Sequence, residues 1–200
     1  MHLLRGLRHY AKEFIAAARN GDYERAPSGI MLKKGVMLTG FYDEGIVGQP
    51  DTWRRHQNLI PDEGILKILG IAFYTDAKIN TWYLAPFAGN VAIVAGLTAA
   101  SFTATQTEIT SGAEGYSESV RQTWTPAAPA TNKVTNTASK AQFTIVTASQ
   151  LTIWGVGLLS ASAKGSTSGV LASATKYTVS RVLNNTDVWG CGYEVSLSDS

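Results

Sequence analysis

The stretch Val188-Trp189-Gly190-Cys191-Gly192-Tyr193-Glu194-Val195-Ser196-Leu197-Ser198 alternates large apolar side chains with small or polar ones. A repeat of two belongs to a strand, whose successive side chains point to opposite faces, so one face here is read as buried. Working back from it, Asn184-Asn185-Thr186 with Asp187 reads as a turn; it satisfies a glycosylation sequon, but no secretion signal is recognisable. Strands are expected over Tyr177–Leu183, Val170–Ala174, Leu151–Ser160 and Gln142–Thr147, with Ala163–Gly169 as a loop. Short strands separated by turn residues predict a mainly β fold: an antiparallel β-sandwich, jelly-roll-like, over residues 58–200.

Upstream, Leu97–Thr147 is rich in Ala, Ser and Thr but punctuated by Phe102, Ile109, Tyr116, Val120, Trp124, Val134, Phe143 and Ile145. Such anchors are missing from disordered tracts, so strands and long loops are expected there. A strand carrying Trp82 and Tyr83 is expected at about Asn80–Pro86. Pro61, Asp62 and Glu63 suit the start of a helix reaching about Tyr74, with Ile65, Leu66, Ile68, Leu69 and Phe73 as its buried face.

Residues 1–57 read as an assembly arm. Leu3, Leu4, Leu7, Tyr10, Ala11, Phe14, Ile15 and Ala18 recur at spacings of three and four, with Arg5, Arg8, Lys12 and Arg19 between them. This pattern predicts an amphipathic N-terminal helix ended by Asn20 and Gly21. Its apolar stripe needs a partner, since so short a helix is marginal alone in water; a basic helix lying on a membrane is the alternative. Residues 20–57 are irregular and extended, apart from a hairpin expected between Gly35 and Val47 that turns at Asp43-Glu44-Gly45.

The 200 residues suit one domain with an appended arm. Charged residues make up 16%, well below the usual quarter, and the net charge of +2 with a pI near 8.6 is too mild to argue for nucleic acid, so no direct nucleic-acid binding is expected. Cys191 is the single cysteine, so no intrachain disulfide forms, and its place on the apolar side of the last strand marks a small buried hydrophobe. No run approaches the ~18 apolar residues of a membrane span.

Chemistry is sparse. His2, His9 and His56 all precede residue 57; His56 reads as a surface or interface histidine, and no Gly-x-Ser-x-Gly elbow occurs. Glu114 and Glu118 sit in loop context, and Asp76, Glu108 and Asp187 are isolated. No metal-ligand spacing is present, and Gly165-Ser166-Thr167-Ser168-Gly169 lacks the ending of a phosphate loop. The expectation is therefore no catalytic residue, no cofactor and no metal. The candidate partner-docking residues are Leu3, Leu7 and Phe14 on the first apolar stripe, with Arg54 and Arg55, an adjacent pair able to fork onto a partner carboxylate.

Asn58-Leu59-Ile60 with Glu63-Gly64, Thr81-Trp82-Tyr83-Leu84, Tyr116-Ser117-Glu118 leading to Arg121 and Trp124-Thr125-Pro126, Ala163-Lys164-Gly165, Gly169-Val170-Leu171, and Val182-Leu183 before Asp187 together resemble a family of small virion proteins of tailed bacteriophages. The resemblance covers roughly Asn58–Ser198. It implies a non-enzymatic β-sandwich component similar to capsid cement or decoration proteins, bound as a homo-oligomer to the major capsid protein on the capsid exterior and assembled in the bacterial host cytoplasm. The long extension Met1–Gln57 departs from the family pattern and leaves a head-to-tail connector, tail component or head fibre as the alternative place in the same virion. From the residues alone, a carbohydrate-binding or hydrolytic β-sandwich is a further alternative, with Trp82, Trp124, Trp154 and Trp189 as stacking platforms.

Overall fold

A computed structural model describes residues 23–25, 31–33 and 36–199, with side chains over 38–198. The chain divides into two units, Met1–Leu38 with Ser196–Ser200, and Thr39–Val195. In the first, β1 (Tyr23–Arg25) pairs antiparallel with β2 (Met31–Lys33), Glu24 opposite Leu32. The helix expected over residues 3–18, with Leu3, Leu7 and Phe14, lies outside the described residues.

The second unit is mainly β, with two antiparallel sheets. One has the order β11-β10-β5-β7, formed by Leu171–Asn184, Gln150–Leu159, Trp82–Phe87 and Gln122–Trp124. The other has the order β4-β3-β12-β9-β6, formed by Arg54–Gln57, Val36–Ile46, Val188–Asp199, Ala141–Val146 and Gly115–Tyr116, with β8 (Lys133–Thr135) also on β12. A 3-10 turn (Pro50–Thr52) and two helices, α1 (Asp62–Phe73) and α2 (Ala99–Gln106), complete the described elements.

The main core is built by both sheets. Tyr42, Phe143, Trp189, Cys191 and Tyr193 from one meet Leu84, Ile153, Val156, Leu158, Tyr177 and Leu183 from the other. Ring pairs Tyr42–Tyr193 and Phe143–Trp189, with centroids 4.5 and 4.9 Å apart, each add about 0.5–1.5 kcal/mol beyond area burial. A second cluster, Ala85, Phe87, Leu97, Ala99, Phe102, Leu159, Leu171 and Ala174, contains the α2 side chains, with Phe87 edge-on to Phe102 at 5.8 Å. Strands β5 and β10 contribute to both clusters, which is why they read as nearly continuous apolar runs.

In β12 the period-two reading holds for Trp189, Cys191 and Tyr193, all buried. Its small positions are covered as well: the Trp53 ring lies where a Cβ on Gly190 would stand, and the Lys140 stem and Asn136 lie over Gly192. Glycine lets these side chains close over the strand.

Several expectations are corrected. The hairpin turning at Asp43-Glu44-Gly45 does not form; β3 runs straight through it, because Glu44 is bonded into the core and Gly45 lies under the Trp53 ring. For the same reason the arm does not extend to residue 57: Thr39–Gln57 belong to the larger unit, with Tyr42 and Glu44 fully buried. The two strands expected over 170–183 are one, β11, whose register slips opposite Trp154 between the Ile153–Arg181 and Gly155–Lys176 pairs. Finally, Ala99–Gln106 is a helix in a tract read as strands and loops. Thr98 and Ser101 cap it reciprocally, the Thr98 side chain accepting from the Ser101 N–H and the Ser101 hydroxyl from the Thr98 N–H, a weaker sequence signal than the usual Glu or Gln.

Helix α1 forms where expected but is turned the other way. Gly64 is its buried residue, and a Cβ there would collide with the Ala172 carbonyl of β11. Glu63 secures this seat: its Oε2 accepts from the backbone N–H of Leu171 at 2.7 Å and of Ala99 at 2.8 Å. The close approach needs a side with no side chain, and that leaves Ile65, Leu66, Ile68, Leu69 and Phe73 outside. Gly64→Ala, which would raise the stability of an exposed helix by about 1 kcal/mol, is therefore expected to lower the melting temperature here. A thermal melt that rises instead would show that α1 does not sit on β11 in this way.

Candidate functional site

Among the described residues, two buried charge clusters, an open groove and an exposed apolar ridge are the candidate features. In the first cluster, Glu44 of β3 accepts from Arg181 of β11 at 2.9 and 2.8 Å and from the Trp189 indole at 3.0 Å. His56 Nε2 lies 3.4 Å from Glu44 Oε1, and its ring stacks on Tyr177 at 4.2 Å. Burial alone would raise the Glu44 pKa; hydrogen bonds from His56, Arg181 and Trp189, with the Arg181 charge, outweigh it and hold the carboxyl below its ordinary value. His56 is thus half-buried in an internal network and not the surface or interface group expected.

In the second cluster, Arg121 donates through Nε and Nη2 to Glu108 at 2.8 and 2.7 Å, both side chains fully buried. Arg121 also donates to the carbonyls of Ala161 and Ser166, while Glu108 accepts from Thr103 and from the Gly165 N–H. Glu108, read as isolated, is therefore the anchor that holds loop 161–169 against the end of α2. Beside it Lys164 donates to the Tyr116 carbonyl at 2.8 Å and sits 3.5 Å from that ring's centre. In both clusters the acceptors are taken by arginine forks, so neither carboxylate is presented to a reactant.

Three further carboxylates are staples. Glu118 accepts from the Thr144 N–H, Glu114 from Thr147 and the Ala148 N–H, and Asp187 from the Asn184 N–H at the turn where Thr186 takes a φ of 72°. The Thr147 and Ala148 bonds lower the Glu114 pKa. Cys191 is fully buried, which pushes its thiol pKa up and leaves it a hydrophobe. Among the described residues no group of three or more His, Cys, Asp or Glu could hold a metal ion, and no helix is long and apolar enough to cross a membrane.

Of the expected docking residues, Arg55 uses its fork on its own sheet. Its Nε and Nη2 reach Asp43 at 2.9 and 3.2 Å, Nη2 lies 3.4 Å from Glu194, and the guanidinium stands 5.0 Å from the Phe41 ring centre. Arg54, its neighbour on the strand, is exposed. Trp189 and Trp124 are buried, the latter donating to the Tyr193 carbonyl, while Trp82 and Trp154 are half-buried, Trp154 beneath the Lys176 ammonium.

Two surface features stand out. An open groove of about 300 Å³ runs between Asn58-Leu59, Ala92-Ile93 and Ala174–Lys176; it contains no carboxylate. The α1 face is the larger departure from an ordinary surface. Phe73 is 85% exposed and Leu66 67%, with Ile65, Ile68, Leu69 and Tyr74 exposed beside them. A contiguous apolar patch of this kind marks an interaction surface. Sequence reasoning found these residues as an apolar stripe and assigned it to the core; no local signal tells which way such a stripe faces. No protein-family model, curated protein or solved structure matches the chain.

Proposed function

We propose that this chain is a non-enzymatic structural protein of a tailed-bacteriophage virion, a cement or decoration protein on the exterior of the major capsid shell. In this reading the two sheets form a jelly-roll-like sandwich, and the N-terminal arm ties it to capsid subunits or to neighbouring copies. The observation that carries the reading is the outward apolar face of α1 on a domain whose buried charges are all spent on internal bracing. A protein built to brace itself and to present an apolar ridge suits assembly, not turnover. Binding only the finished lattice stabilises that lattice by mass action, and many weak contacts add up through multivalency.

The test compares particles assembled with and without the chain. Shells lacking it are expected to form at normal size but to release DNA at lower temperature and under milder osmotic shock. Equal heat resistance of the two, or glycan or peptide turnover abolished by a single carboxylate substitution, would overturn the reading.

A further inference from the structure

We propose that the exposed face of α1 receives residues 3–18 of a second copy of this chain, so that copies join head to tail. The inference rests on the assembly reading above only in treating the chain as self-associating.

Three observations select this occupant. The first is that the described residues leave this ridge open: Phe73, Tyr74 and Leu66 are each more than half exposed. The second is fit. Residues 65, 66, 68, 69 and 73 cover about half the circumference of a 12-residue helix, and Leu3, Leu4, Leu7, Tyr10, Ala11, Phe14 and Ile15 recur at the spacing by which an apolar helix stripe lies along such a ridge.

The third is charge. On α1 Asp62 is exposed, Glu63 is spent on the Leu171 and Ala99 N–H groups, and Lys67 is tied to Asp76 at 2.9 Å, so the helix offers no free basic group. The last turn of α1 has no basic residue to offset the negative end of the helix dipole. Residues 3–19 carry the opposite balance, with Arg5, Arg8, Lys12 and Arg19 against Glu13.

Because donor and acceptor are different surfaces, the contact is heterologous and propagates until it closes into a ring or meets a blocked end. That property supplies the test, made with purified full-length chain and no particles, so that failure of the capsid reading and failure of this one are separable. Wild type is expected to self-associate with rising concentration in sedimentation velocity. Leu66→Asp/Phe73→Asp, which blocks the acceptor, and Leu7→Asp/Phe14→Asp, which blocks the donor, are each expected to associate at least tenfold more weakly. Mixed in equal amounts they should form a dimer and stop there, since one intact donor meets one intact acceptor.

A labelled peptide of residues 1–20 should bind wild type and the donor variant, and bind the acceptor variant at least tenfold more weakly, while a scrambled peptide of equal charge binds none. The peptide titration on wild type decides the matter should the acceptor variant melt early. Self-association undiminished in the donor variant, as α1–α1 pairing would give, overturns the proposal. So does a wild type that stays monomeric and ignores the peptide, or a mixture with no rescue.

Discussion

Arg121→Met is expected to destabilise the larger unit by about 3–5 kcal/mol, the cost of removing one partner from a buried ion pair. Arg121 is fully buried, and its loss strands the Glu108 carboxylate with only the Thr103 hydroxyl and the Gly165 N–H. It also frees the Ala161 and Ser166 carbonyls, which weakens the hold on loop 161–169. In urea denaturation the midpoint should fall with little change in slope. The double change Arg121→Met/Glu108→Leu should recover much of the loss, because an apolar pair of similar volume leaves no charge in the core. A single variant that loses less than ~1 kcal/mol would mean that the pair is open to water, as exposed pairs are.

Glu44→Gln is expected to cost a comparable amount near neutral pH, about 3–5 kcal/mol, because Arg181 remains buried opposite a neutral amide. The dependence on pH identifies the cause. The Glu44 carboxyl is held below its ordinary value of 4.5, so its stabilising effect is complete above that value and is lost as pH falls through the folded-state pKa. The gap in unfolding free energy between wild type and Glu44→Gln should therefore narrow as pH falls below about 4.5. Urea denaturation at a series of pH values measures this. A gap that does not change in acid would assign the loss to packing of the side chain and not to its charge.

Glu44 and its partner Arg181 both carry a signal in the sequence. Arg181 shares strand parity with Tyr177 and Leu183, and Glu44 shares it with Tyr42, so each is a charge on an inward row. Opposite charges on the inward rows of two strands are candidates for one another. That they meet depends on the two sheets sharing one core, which no spacing along the chain encodes: Glu44 and Arg181 are 137 residues apart. Glu108 and Arg121 are only 13 apart, yet Arg121 stands in a tract of Ser and Thr without periodicity, and the loop it bonds comes from the far side of β10.

Local patterns determined the strands. In β9, β10 and β12, alternation and flanking turn residues place the elements within about a residue of where they stand, because period and turn chemistry act over a few neighbours. The same kind of pattern determined that residues 62–73 are helical. It could not determine which side of that helix is buried. That was decided by Gly64 against the Ala172 carbonyl and by Glu63 bonding Leu171 and Ala99, contacts made only once β11 and α2 are in place. Likewise Asp43-Glu44-Gly45 has the composition of a turn, and only the buried Arg181 and the Trp53 ring keep it extended. Propensity differences amount to tenths of a kcal/mol per residue, whereas leaving a buried arginine without its carboxylate costs several, so where they disagree the tertiary contact prevails.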